Sequence, residues 1–81
     1  MKVQVRLFAA LREATGTMRI EQALPPGTRV QDLMALLSGQ YPALRSQMSA
    51  VRAAVNRQYV SLDAELRDGD EVALVPPVGG G

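Results

Sequence analysis

Residues 28–37, TRVQDLMALL, form the one long helical pattern in this chain of 81 residues. Its apolar residues recur at the spacing i, i+3, i+4 and i+7, and they are Val30, Leu33, Met34 and Leu37. This spacing places all of them on one face of an α-helix, which can then pack against a sheet. The segment therefore predicts a principal helix at the centre of the fold.

The ends of this helix also have sequence signals. Thr28 is a good N-cap residue, and Gln31 three positions later completes a capping-box pattern. Gly39 is typical of a C-cap, and Pro42 lies just beyond it. These residues predict a helix that begins at Thr28 and ends near Gly39.

The segments on both sides of the helix have the two-residue periodicity of half-buried strands. The predicted strands are residues 3–7, 17–23, 50–55, 59–62 and 71–75. The short gap between the first two predicts antiparallel neighbours. Asp68-Gly69 is a strong turn signal before the last strand, and Pro76-Pro77 ends that strand because proline cannot donate to a ladder.

The remaining segments are short. Residues 9–14 are rich in helix formers and predict one or two helical turns, and residues 56–58 predict a turn. Residues 44–49 fit a helical turn or a loop, and residues 63–67 fit a further helical turn. The strong elements follow the order β-β-α-β-β-β, which predicts an α+β domain. We expect a ubiquitin-like β-grasp with a mixed sheet of about five strands packed on one main helix, spanning residues 1–77, followed by a flexible glycine tail at 78–81.

Composition excludes several classes of function. Nine basic and eight acidic residues give a net charge of +1, which does not favour nucleic-acid binding. The chain has no Cys and no His, which removes disulfides, thiol nucleophiles, the commonest general base and most zinc sites. No segment resembles a signal peptide or approaches membrane-spanning length, so we expect a cytoplasmic protein without a membrane partner.

The most informative segment is the end of the sequence, Val78-Gly79-Gly80-Gly81, directly after Pro76-Pro77. Glycine has no side chain to clash, so this tail can enter a slot that is closed to other sequences. The two prolines form a stiff exit, and the four residues after them reach roughly 13 Å. The tail would then deliver the carboxylate of Gly81 to a partner, although a frayed terminus gives the same sequence.

Two further features have both a functional and an ordinary interpretation. If the predicted strands bury their regular apolar positions, then Phe8, Tyr59 and Val75 point to the outer face of the sheet. They could anchor a partner near the tail, or they could be scattered exposed apolar residues. The acidic segment 67–71 does not fit a calcium loop, and a solvated turn is favoured over an acidic docking site.

The strongest motifs resemble those of one family, the small subunit of molybdopterin synthase, which is a ubiquitin-like sulfur carrier. They are residues 54–56 (AVN), 66–73 (LRDGDEVA), 76–78 (PPV) and the terminal Gly80-Gly81. Residues 5–13, VRLFAALRE, also fit the opening strand and turn of that family. The resemblance covers the whole chain, and the combination of the acidic turn with the proline-glycine end is its specific part.

The resemblance implies a mechanism that uses other proteins. An E1-like enzyme would adenylate the carboxylate of Gly81 with ATP and Mg²⁺, and a sulfur donor protein would allow its conversion to a thiocarboxylate. The carrier would then dock on the large synthase subunit, within a heterotetramer, and give its sulfur to cyclic pyranopterin monophosphate. The chain itself would bind no cofactor, and it would contribute to sulfur transfer without catalytic machinery of its own.

The family also assigns roles to individual positions. Gly81 is the covalent site, and Gly80 lets the tail thread into the partner. Partner contacts are implied for Phe8, Tyr59, Val75, Pro76, Pro77, Val78 and Gly79.

This chain departs from the family pattern at two places. Leu74 and Val75 stand where relatives often have aromatic residues, which predicts a flatter patch. Gly79 stands where a small residue other than glycine is common, which loosens the tail. Three other functions remain open at this point: a sulfur carrier for the thiamine thiazole ring, a ubiquitin-like modifier that forms isopeptide bonds, and an interaction domain with an inert tail.

Overall fold

The alternation of apolar and polar residues after Met1 produces the first strand of a five-stranded mixed sheet. The computed structural model describes residues 1–76. The strands are β1 (Lys2–Leu7), β2 (Arg19–Ala23), β3 (Arg52–Val55), β4 (Gln58–Val60) and β5 (Glu71–Val75). The helices are α1 (Ala9–Thr15), α2 (Val30–Gln40), a 3₁₀ turn (Pro42–Leu44) and α3 (Arg45–Met48).

The sheet has the strand order β2-β1-β5-β3-β4, so the last strand lies at its centre. β1 pairs with β2 in antiparallel fashion and with β5 in parallel fashion. β3 pairs in antiparallel fashion with both β5 and β4. This mixed sheet with one long helix confirms the predicted α+β fold, including the antiparallel pairing of the first two strands.

The core lies between the inner face of the sheet and α2. The four residues of the helical stripe are all buried, as are the alternate residues of β1 and β5. Val5, Val72, Leu33 and Leu37 are completely buried, with an exposed fraction of 0%. The apolar stripe and the strand alternation therefore predicted the core correctly.

The prediction that Thr28 caps the principal helix is wrong by one residue, and so is the predicted capping box. Arg29 is the N-cap residue, and its backbone N–H donates to the Asp32 carboxylate over 2.9 Å. The Thr28 hydroxyl instead donates to the Pro25 carbonyl over 2.7 Å. Thr28 therefore closes the turn that precedes the helix, and Asp32 rather than Gln31 supplies the capping oxygen.

The first free N–H groups of α2 are satisfied by a distant loop. Val30 donates to the Ala64 carbonyl over 2.9 Å, and Gln31 donates to the Leu62 carbonyl over 2.8 Å. The start of a helix needs such acceptors because its first N–H groups have none within the helix. The segment predicted as a further helical turn, 63–67, is therefore not helical. Asp63 lies in a turn, and Glu65 forms an antiparallel bridge with Arg29, the N-cap residue of α2.

The predicted C-cap at Gly39 is also wrong. α2 continues through Gly39 to Gln40, and Tyr41 is its C-cap residue. Pro42 then starts the 3₁₀ turn, which runs directly into α3, so residues 44–49 are mostly helical. A glycine in an exposed helix is only mildly unfavourable, and the restriction that Pro42 places on the preceding residue ends the helix.

The longest helix of the described part, α2, has 11 residues. Among residues 1–76 no helix is long and apolar enough to cross a membrane.

Candidate functional site

The candidate site lies where the central strand of the sheet ends. β5 lies between β1 and β3, so the chain leaves the sheet through the middle of one end. Val75 is its last residue, and Pro76 follows in a half-buried position. The remaining predicted site residues, Pro77, Val78, Gly79, Gly80 and Gly81, lie outside the described residues, so the predicted domain boundary does as well.

Phe8 and Val75 are neighbours at this end of the sheet. β1 and β5 run parallel with Leu7 opposite Leu74, so the next residues of the two strands, Phe8 and Val75, also lie side by side. Phe8 has an extended backbone and therefore continues the alternation of β1, which directs it away from the buried Leu7. Its exposed fraction is 39%, and Val75 is half-buried.

Tyr59 lies on the same face of the sheet as Phe8 and Val75, but on the edge strand β4. The register places Arg6, Ala73, Ala54 and Tyr59 in one row across four adjacent strands. Three strand spacings separate the ends of this row, or about 14 Å. Tyr59 is 65% exposed. The short side chains of Ala73 and Ala54, between the two ends of the row, leave the middle of the surface shallow. Phe8 and Tyr59 therefore do not touch, and they flank a shallow apolar surface.

Two arginines complete this surface. The Arg6 guanidinium lies 5.4 Å from the centre of the Phe8 ring, and the Arg52 guanidinium lies 6.0 Å from the centre of the Tyr59 ring. Both distances fit cation–π contacts. We call the whole surface the docking patch, and it consists of Arg6, Phe8, Arg52, Ala54, Tyr59, Ala73 and Val75.

The sequence reasoning missed the two arginines, although a signal for them was present. Arg6 has the same strand parity as Phe8, and Arg52 has the same parity as Ala54. The alternation that assigned the aromatic residues to the outer face therefore also assigned the arginines. Neither arginine was considered as a binding residue, because only the apolar residues of this face were followed as anchors for a partner.

Open grooves lie next to the docking patch. One has a volume of about 300 Å³ and follows the open end of the hairpin formed by β3 and β4. Its lining residues are Val51, Arg52, Ala53, Tyr59, Val60, Ser61 and Leu62. Leu62 falls at the end of the predicted strand 59–62 but is 44% exposed, because β4 ends at Val60 and residue 62 already belongs to the following turn. Another groove, of about 290 Å³, lies beside Pro76.

The acidic segment 67–71 forms a turn. The Asp70 carboxylate accepts hydrogen bonds from the Arg67 backbone N–H (2.8 Å) and the Asn56 side-chain amide (2.9 Å). Asp68 accepts one from the Lys2 backbone N–H over 2.8 Å. Residues 1–76 contain no group of three or more acidic side chains that could hold a metal ion.

The exposed carboxylate of Asp63, near the hairpin groove, has a lowered pKa. The Ser61 hydroxyl donates to Asp63 over 2.5 Å, and this hydrogen bond is the largest cause that lowers the pKa of Asp63. The backbone of Asp63 and the Arg29 charge lower the pKa further. The Asp63 carboxylate is therefore engaged by Ser61.

Comparisons with known proteins agree with the resemblance in the motifs. A curated relative from Mycobacterium tuberculosis, named molybdopterin synthase sulfur carrier subunit, is 44% identical over 100% of this chain and 99% of its own length. A relative of the same name from Chlamydomonas reinhardtii is 41% identical over the full length of both chains.

Solved structures match over nearly the whole length. The structure of SAMP1 from Haloferax volcanii aligns with a TM-score of 0.89 at 29% identity, covering both chains completely. A putative molybdopterin converting factor subunit 1 from Pyrococcus furiosus aligns with a TM-score of 0.87 at 37% identity, covering 96% of this chain and 99% of its own.

Two further structures concern assembly and fold. A chain from a complex of subunits 1 and 2 of the molybdopterin-converting factor of Helicobacter pylori aligns with a TM-score of 0.74 at 27% identity, and both chains are fully covered. A ubiquitin from Caldiarchaeum subterraneum aligns at 15% identity with a TM-score of 0.67, over 100% of this chain and 98% of its own, which supports the fold alone. The expected ubiquitin-like β-grasp is thereby confirmed.

The match to a family profile covers almost the entire sequence. The ThiS family profile matches residues 5–81, a range that includes the docking patch and the glycine-rich end. The chain therefore belongs to the ThiS family.

Proposed function

We propose that this chain is the sulfur carrier subunit of a molybdopterin synthase and carries sulfur as a thiocarboxylate on Gly81. The observation that carries the proposal is the position of the docking patch at the end of the central strand β5, where Phe8 and Val75 lie side by side. The full-length relatives named for this function support it. A partner bound on the patch would lie where the chain leaves the sheet after Pro76.

The first chemical step activates the carboxylate. A carboxylate is a poor electrophile, so one of its oxygens must become part of a leaving group. In the proposed step, a carboxylate oxygen of Gly81 attacks the α-phosphorus of ATP and pyrophosphate leaves, which gives an acyl-adenylate. ATP and Mg²⁺ belong to an E1-like activating enzyme, because no carrier residue is proposed to bind them.

The second step introduces sulfur. A sulfur donor protein supplies sulfur at the oxidation level of sulfide, which attacks the acyl carbon while AMP leaves. The product is a thiocarboxylate whose sulfur is a better nucleophile than the oxygen it replaces. The absence of Cys from the chain means that this cargo cannot form an internal disulfide.

The third step transfers the sulfur on the large synthase subunit. The thiocarboxylate sulfur forms a C–S bond with a side-chain carbon of cyclic pyranopterin monophosphate, while a C–O bond at that carbon breaks and its oxygen leaves. Water then hydrolyses the acyl C–S bond, which regenerates the Gly81 carboxylate and leaves the sulfur on the precursor. Two sulfurs form the dithiolene of molybdopterin, so two carriers are used for each product. Gly80 and Gly79 would thread the tail into the large subunit, while Pro76, Pro77 and Val78 would line its entry.

A ubiquitin-like modifier is a second candidate, since SAMP1, whose name stands for small archaeal modifier protein 1, aligns over its complete length. A modifier would use the same activated Gly81 but would transfer its acyl group to a lysine amine of a target protein. The products of the two functions therefore differ: a sulfur-containing small molecule in one case and an isopeptide conjugate in the other.

The test is intact-mass analysis of the full chain after coexpression with its activating enzyme and sulfur donor. We expect one oxygen-for-sulfur exchange at the C-terminus and sulfur transfer to the precursor when the large subunit is added. Gly80→Leu should abolish the transfer because its side chain blocks the tail. Gly39→Leu, the same change on an exposed helix face with open space around it, should not.

Normal transfer by Gly80→Leu would contradict the proposal. High-mass conjugates that survive reducing denaturing gels, without any sulfur exchange, would instead support the modifier.

A further inference from the structure

The two arginines of the docking patch differ in their charge environment. Arg6 has a partner, since its guanidinium lies 3.6 Å from the Glu71 carboxylate. Within residues 1–76, Arg52 has no carboxylate within 4 Å, and its guanidinium lies over the Tyr59 ring. The positive charge of Arg52 is therefore the one that the described part of the chain leaves uncompensated on the patch.

Charge is also distributed unevenly along the outer face. Arg52 pairs with Val75, so it lies at the end of the sheet where the chain exits. Glu71 lies four residues earlier on β5, about 13 Å away along the strand. Glu21 is in the same row as Glu71, since both lie opposite Gln4. Within residues 1–76, the outer face thus has the unpaired Arg52 at the exit end, whereas at the opposite end Glu71 is paired with Arg6 and Glu21 with Lys2.

The groove at the hairpin begins where Arg52 and Tyr59 lie. Buried or half-buried apolar residues, Val51, Ala53 and Val60, form part of its lining, and the exposed Leu62 adds to it. Its volume of about 300 Å³ is sufficient for a large side chain. Asp63, the carboxylate that follows this lining, accepts a hydrogen bond from Ser61, and its backbone carbonyl accepts one from the Arg29 side chain.

We propose that the docking patch binds a protein segment in which a carboxylate side chain lies next to an apolar one. The carboxylate pairs with Arg52, and the apolar side chain enters the groove at the open end of the β3–β4 hairpin. This inference rests on the proposed function, in which the partner is the large synthase subunit. It specifies the side chains that the partner must present, and it gives a physical reason for the orientation in which the partner docks.

The direction follows from the uneven charge. A carboxylate is attracted by the unpaired Arg52 at the exit end, whereas Glu71 and Glu21 at the other end are already engaged with Arg6 and Lys2. A partner seated in the reverse direction would bring its carboxylate against these acidic residues. The favoured orientation keeps the acidic segment of the partner near the point where the glycine-rich end leaves the sheet.

The experiment measures binding of the full chain to the large synthase subunit of the same source by titration calorimetry. Arg52→Glu is compared with Arg57→Glu, which makes the same charge change on an exposed residue at the other end of the same hairpin. We expect Arg52→Glu to weaken binding by about tenfold to a hundredfold and Arg57→Glu by less than about twofold. Because Arg52 is exposed, both variants should keep the wild-type circular dichroism and unfolding midpoint.

Salt provides a second measurement. Wild-type affinity should fall as the ionic strength rises from about 0.05 M to about 0.5 M, because salt screens the pair between Arg52 and the carboxylate. Arg52→Glu should lose most of this dependence. In addition, reversing the charge of the facing carboxylate on the large subunit should restore binding to Arg52→Glu.

The possible outcomes distinguish a failure of this inference from a failure of the proposed function. If Arg52→Glu binds as tightly as the wild type, the inference is wrong while the proposed function stands. If the wild type itself does not bind the large subunit, both are wrong. If the wild type binds single-stranded RNA at physiological salt and Arg52→Glu does not, then Arg52 contributes to nucleic-acid binding, and the inference is also overturned.

Discussion

Gly39 and Gly69 are both exposed glycines, but their backbones have different conformational requirements. Gly69 has a φ of +85°, a value that an L side chain rarely adopts, and it forms the tip of the turn before β5. Gly39 lies inside α2, where any helix former can stand. A Cβ atom added at either position would meet nothing within 4 Å. The difference between the two sites is therefore conformational and not a matter of packing.

This comparison predicts opposite effects of one substitution. Gly69→Ala should lower the free energy of unfolding by about 1–2 kcal/mol, because a left-handed conformation strains alanine. Gly39→Ala should raise it by about 0.5–1 kcal/mol, since alanine loses less backbone entropy in a helix. Urea unfolding of both variants measures the two values. A change of the same sign in both would contradict the assignment of their backbone roles.

α2 is the element on which the sheet packs, and its two faces can be compared at adjacent residues. Leu37 is completely buried against the sheet, and Leu36 is 38% exposed. The start of the helix depends on the loop after β4, since Ala64 and Leu62 accept its first N–H groups. α2 is therefore stabilised by tertiary contacts both along its buried face and at its N-terminus.

The adjacent leucines provide a matched test of this arrangement. Leu37→Ala should lower the free energy of unfolding by about 2–5 kcal/mol, because it removes buried methyl groups and leaves a cavity. Leu36→Ala changes the same atoms on the outer face and should cost less than about 1 kcal/mol. Both values follow from denaturant unfolding. Similar losses in the two variants would show that the buried stripe has been misassigned.

At the scale of the whole molecule, the sheet separates stability from binding. Its inner face packs against α2, and its outer face carries the docking patch with a floor of small alanines. Exposed residues such as Tyr59 contribute little to the core, yet large aromatic residues are frequent anchors in protein interfaces. The two faces can therefore be altered independently.

Tyr59→Ala tests this separation. The free energy of unfolding should change by less than about 0.5 kcal/mol, because the side chain is 65% exposed. Binding to the large synthase subunit should weaken by about tenfold or more, as expected for an aromatic anchor. Calorimetric binding and thermal unfolding of the same sample measure both effects. A stability loss that matches the binding loss would contradict the separation of the two faces.

Elements that depend on local periodicity were predicted well from the sequence, and elements that depend on distant partners were not. The stripe of α2 and the alternation of β1 appear directly as buried residues in the structure. The cap at Thr28 was predicted wrongly because the Thr28 hydroxyl donates to the Pro25 carbonyl in the preceding turn, and the helix starts one residue later, with Arg29 as its N-cap. The segment after β4 was predicted as a helical turn because its role in capping α2 involves residues about thirty positions away.

The docking patch shows the same division. Alternation was sufficient to place Phe8, Tyr59 and Val75 on the outer face, and their exposure agrees with this. It could not show that Phe8 adjoins Val75 while Tyr59 lies on β4, three strands away from β1, because that depends on strand order. The contacts of Arg6 and Arg52 with the two rings likewise require neighbouring strands.

By itself, the sequence determined which residues each element buries, the class of fold, and the family through its motifs at residues 66–73 and its proline-glycine end. The tertiary structure decided that the last strand lies at the centre of the sheet and that β1 runs parallel to it. It also decided which charges remain uncompensated beside the exit of the chain. The physical reason is that periodicity is a local property of the backbone, whereas strand order and charge pairing depend on contacts between segments that are distant along the chain.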